Sequence, residues 1–139
     1  MRMRSMARDP GIRLLRFGVA VLLFVHGVYR AATGGVGGFG EFLSGQGFPA
    51  GELLAWGLTL FEILGAPLLA VGVGVVPLAL LFSAELVAGI VLVHRHAGWF
   101  VVGGGRNGVE YSLCLILALV ACALSEARAR RSASAAPRA

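Results

Sequence analysis

The sequence predicts an all-α integral membrane protein, a four-helix bundle with both termini in the cytoplasm, and three observations carry that reading. Of its 139 residues, 58% are hydrophobic and only 14% charged, against about a quarter charged in a soluble domain. Four apolar runs each approach the ~20 residues that a helix needs to cross a hydrocarbon core. Nine of the twelve basic residues, all arginine, flank those runs at the two ends of the chain: Arg2, Arg4, Arg8, Arg13 and Arg16 at the start, then Arg128, Arg130, Arg131 and Arg138 at the finish. Arginine excess marks the cytoplasmic side, and an even number of spans brings the chain back to the side it left. The expected location is the bacterial inner membrane.

A cytoplasmic basic segment, 1–11, precedes the first span, expected at about 12–32. A cleavable signal would also begin with a basic stretch and the apolar run Phe17 to Val25. That run continues to Ala32 without a small-x-small cleavage site, and three more spans follow, so a retained helix is the simpler account. The stretch Thr33 to Glu52 is broken by glycines and holds Phe39, Phe42, Phe48 and Pro49, which suits an interfacial loop or re-entrant turn. The second span is expected at about 53–76 and the third at 77–93, joined through an uncharged turn around Gly72, Gly74 and Pro77 as an antiparallel hairpin. His94 to Gly108 forms a second outer loop with Trp99 and Phe100 at headgroup level. The fourth span is expected at 109–124, before an Arg/Ser/Ala tail, 125–139, read as disordered.

The basic excess does not indicate nucleic acid as a partner, because no basic face is interleaved with aromatic residues able to stack on bases. Cys114 and Cys122 lie eight residues apart in the fourth span, about 12 Å along a helix, too far to bridge, and are read as buried packing residues. Gly35-Val36-Gly37-Gly38-Phe39-Gly40 matches a dinucleotide fingerprint in letters, but no strand precedes it. A metal site drawn from His26, His94, His96 and a glutamate is weaker than an interfacial role for the two loop histidines, and no metal is expected.

Ionisable groups at membrane depth are costly and point to function. Glu62 falls near the middle of the second span, Glu85 within the third, and His26 about two turns below the outer end of the first. His94 and Glu110, at the outer ends of the third and fourth, would form the mouth of a shared pocket. Carboxyl groups and imidazoles held away from water can exchange protons near neutral pH, so His26, Glu62, Glu85, His94 and Glu110 are the candidate catalytic residues. For Glu110 alone, a first-turn carboxylate favoured by the helix dipole is an equal reading.

The same residues carry a family resemblance. His26-Gly27 with Arg30, then Phe42, Gly47, Phe48 and Pro49, Glu62-Ile63-Leu64-Gly65-Ala66 with Gly72, His94, Gly98 with Phe100, and Glu110-Tyr111 run in an order that resembles the DoxX family of small four-helix bacterial membrane proteins, over about 12–124. Two positions depart from the family pattern: Pro77 stands near a turn that often holds a basic residue, and Glu85 occupies a normally apolar stretch. The resemblance implies a redox-associated membrane subunit with quinone as the candidate cofactor, since members include a subunit linked to thiosulfate oxidation and others tied to oxidative-stress complexes. Nothing in this chain looks like a thiosulfate site. A soluble redox protein, a membrane subunit or a second copy of the chain are the candidate partners beside the lipid bilayer. The competing functions are a non-catalytic scaffold docking a soluble redox protein, with Gly65, Ala66, Gly72 and Gly74 allowing close helix approach, and a small proton-coupled transporter, for which no internal repeat is present.

Overall fold

A computed structural model describes residues 9–135, and those residues are helical throughout apart from their connections. The elements are α1 (Pro10–Ala32), α2 (Gly35–Gly45), α3 (Gly51–Val71), α4 (Val75–Leu92), a 3-10 turn (His94–Ala97) and α5 (Glu110–Ser134). Helices α1, α3, α4 and α5 are long and apolar enough to cross a membrane. The all-α class and the number of spans thus agree with the sequence.

The boundaries follow from local chemistry. Asp9 precedes α1 and accepts hydrogen bonds from the Gly11 and Ile12 N–H groups at 2.8 and 3.3 Å, while Pro10 opens the helix where no donor is needed. Arg13 and Arg16 consequently sit inside α1 rather than ahead of it. After α3, the Gly72 N–H bonds the Leu69 carbonyl and the Val73 N–H bonds that of Leu68, with Gly72 at φ 89°. This left-handed cap is why glycine stands there. The turn is tighter than expected: α4 already begins at Val75, so Pro77 lies in its first turn, where a missing N–H removes nothing.

Two stretches differ from the sequence expectation. Thr33 to Glu52 is not simply a loop, because it contains α2, five of whose eleven residues are glycine (Gly35, Gly37, Gly38, Gly40 and Gly45). Each glycine disfavours a helix by ~1 kcal/mol relative to alanine, so tertiary packing supports this one. The tail, read as disordered from Ser125, continues α5 to Ser134. Alanine and arginine favour helix, and Arg130 Nε donates to Glu126 Oε1 at 3.0 Å across one turn. Residues 136–139 of that tail, and 1–8 of the basic N-terminal segment, lie outside the described residues.

The chain divides into two compact units, Ala20–Val73 and 9–19 with 74–135. In the first, α1 and α3 run antiparallel, with Gly27 against Glu62 and Arg30 against Thr59. On α3 the buried positions Ala55, Thr59, Glu62, Ala66 and Leu69 repeat every three or four residues, one face of the helix. Helix α2 packs on α3 through Val36, Gly40 and Leu43. The approach is close: a Cβ on Gly40 would lie 2.7 Å from the Glu52 Cα, and one on Gly51 would meet the Gly40 carbonyl and the Ser44 hydroxyl. In the second unit α4 packs on α5, with Val75, Ala79 and Phe82 buried on one and Leu115, Leu119 and Cys122 on the other. Cys122 is buried as expected, whereas Cys114 is exposed, on a different side of the same helix.

Candidate functional site

The unit Ala20–Val73 holds a buried ion pair. Glu62 is the twelfth residue of the 21-residue α3, which places it ~16 Å from the helix start and near mid-span. Arg30 comes from the last turn of α1. Its Nη1 lies 2.9 Å from Glu62 Oε2, and its Nη2 donates to Glu62 Oε1 at 3.3 Å. The two side chains are 14% and 4% exposed. An isolated charge in hydrocarbon would be expensive, and pairing with a second charge in fork geometry offsets that cost.

Thr59, one turn before Glu62 on the same face, completes the arrangement. Arg30 Nη1 donates to its hydroxyl at 3.0 Å, and the hydroxyl donates to the Ala55 carbonyl at 2.7 Å. Across the guanidinium plane lies the Phe39 ring of α2, 4.6 Å from Arg30 Cζ to the ring centroid, a cation–π distance. Gly27 makes room for the carboxylate: a Cβ there would stand 2.7 Å from Glu62 Cβ and 3.1 Å from Oε2. A glycine in mid-helix is unfavourable by itself, and here it permits the close approach of α1 to α3.

Of the five residues expected to share a pocket, His26 and Glu62 fall in this unit. Glu62 is buried, but His26 is exposed on α1, one turn before Arg30. Glu85, His94 and Glu110 belong to the other unit. Glu85 is half-buried on α4. His94 and Glu110 order the loop of residues 98–109. His94 Nδ1 lies 2.8 Å from the Asn107 carbonyl; a carbonyl only accepts, so Nδ1 carries the proton. Glu110 Oε1 accepts from the Val101 N–H at 2.8 Å, and the Glu110 N–H donates to the Trp99 carbonyl at 3.1 Å. Both side chains therefore tie the segment 98–109 to the helices that flank it. Among the described residues, no three His, Cys, Asp or Glu side chains come together so as to hold a metal ion.

The residues missed from sequence are Arg30, Thr59 and Phe39. Arg30 lies four residues after His26 and three after Gly27, a helical spacing that continues the apolar run. Thr59 carried a comparable signal, three residues before Glu62 on the same face of a span.

Four long apolar helices and an intramembrane ion pair define a small multi-pass helical membrane protein. The DoxX family profile matches residues 11–95, more than half of the chain, and the chain belongs to the DoxX family. The matched stretch takes in Arg30, Thr59, Glu62, Glu85 and His94 and stops short of Glu110. No curated protein and no solved structure matches the chain.

Proposed function

We propose that this DoxX-family protein is a redox-associated subunit of the bacterial inner membrane, linked to a quinone through the site of Arg30, Thr59 and Glu62. The observation that carries the reading is the Arg30–Glu62 pair, placed in a span where evolutionary alternatives of apolar packing would be cheaper. Functional groups are the usual reason for such a pair to persist in a membrane. The donor set suits a ligand of this class: the Arg30 guanidinium is a donor for a carbonyl oxygen, and Glu62 is a carboxyl able to hold or release a proton. A quinone, when bound, supplies electron transfer coupled to protons. In this proposal His26 relays protons from its exposed position on α1, and Glu85, His94 and Glu110 are further proton-exchanging groups of the other unit.

Native mass spectrometry of the protein released from mild detergent tests the proposal. The expected result is a bound quinone that is lost, or weakened about tenfold, in Glu62→Gln and Arg30→Met, with a smaller loss in His26→Ala. Quinone occupancy that ignores all three substitutions would remove the site from the proposal. A stoichiometric protein partner recovered equally by wild type and by the Glu62→Gln variant, with no quinone in either, would establish the scaffold function instead.

A further inference from the structure

The ion pair lies beneath the element with the weakest claim to be a helix. Gly35, the first residue of α2, packs on the stem of Arg30, where a Cβ would lie 3.5 Å from Arg30 Cγ, and Phe39, one turn later, covers the guanidinium. The chain enters α2 through Gly34 at φ 72° and leaves it through Gly47 at φ 89° and Ala50 at φ 55°, a pair of flexible or strained junctions on either side. Gly37, Gly38 and Gly45 have open space where a Cβ would be. Unlike Gly40, they are not required by close packing, and their effect is to weaken the helix. The face of Val36, Gly40 and Leu43, with Ser44 beside Gly51, packs α2 on α3, and Phe39 meets Arg30 at the site itself.

We infer that α2 is a lid over the Arg30–Glu62 site, opening by unwinding between Gly34 and Gly47 and held shut by the stacking of Phe39 on Arg30. Excess glycine at packing-free positions sets the population of the open state, and opening exposes the guanidinium edge and the carboxylate together. The inference rests on the site proposed above for what enters, but its test needs no redox ligand, so the two can fail separately.

Hydrogen–deuterium exchange of the purified protein in lipid nanodiscs reads the lid directly. Amides of 35–45 should exchange far faster than those of α3. Gly37→Ala with Gly38→Ala, which fit without a clash, should slow exchange of that segment about twentyfold, and Phe39→Ala should speed it severalfold, with α3 protection unchanged as the control for folding. Access to the site is read by maleimide labelling of Thr59→Cys in a chain carrying Cys114→Ser and Cys122→Ala. Labelling should slow in parallel with exchange in the double alanine variant. Protection of α2 equal to that of α3 would overturn the lid, as would labelling of residue 59 that ignores the alanine substitutions while exchange responds to them.

Discussion

Arg30 and Glu62 illustrate how a membrane changes the meaning of a charged residue. In water, an arginine near a helix end would be a solvated side chain of little consequence. Here its guanidinium holds a carboxylate 2.9 Å away, with a threonine hydroxyl and an aromatic face taking up its remaining directions. Removing one partner leaves the other charged and buried. Arg30→Met should therefore lower stability in detergent by about 3–5 kcal/mol, whereas the double variant Arg30→Met with Glu62→Met should regain most of it. Thermal unfolding of the wild type, both single variants and the double variant checks this, and single losses that simply add in the double variant would mean that the pair is not energetically coupled. Glu62 was legible in the sequence because a carboxylate in the middle of an apolar run is costly and stands out, even where a neutral or backbone-bonded side chain is the bland reading. Its partner was not, because nothing in the linear sequence aligns the first span with the second, and only the register of Gly27 against Glu62 brings Arg30 to its level.

At the scale of elements, the apolar spans were legible because their signal is compositional and long, whereas α2 was not, because its glycines read as a break. What the sequence conceals is that Gly40 of α2 and Gly51 of α3 let two helices touch backbone to backbone. The loop between α4 and α5 hides its order in the same way. Gly103, Gly104 and Gly105 suggest free chain, yet Gly108, Val109 and Glu110 donate their N–H groups to the carbonyls of Phe100, Gly98 and Trp99. The Glu110 carboxylate closes the structure by accepting from Val101. A hydrogen bond to a charged group contributes ~1.5–3 kcal/mol, so Glu110→Ala should increase amide exchange at Val101 at least tenfold. Glu110→Gln keeps a neutral acceptor and should have a smaller effect. Unchanged exchange in Glu110→Ala would leave the backbone ladder as the sole support of the loop.

For the whole molecule, the decisive property is orientation, since it determines which aqueous phase the lid and the 93–109 loop meet. Nine of the twelve arginines lie toward the two ends of the chain, and Arg30 is paired with Glu62. That leaves Arg95 and Arg106 as the basic residues of the 93–109 connection, both exposed. The bias acts on short connections, and α2 and the 93–109 loop are both short. Both ends of the chain should be cytoplasmic. Alkaline phosphatase needs disulfides that form only outside the cytoplasm, so a fusion after Ala139 should be inactive and an insertion after Gly104 active. The reverse pattern would turn α2 and the Arg30–Glu62 site toward the cytoplasm, and the redox partner would then be sought on that side of the membrane.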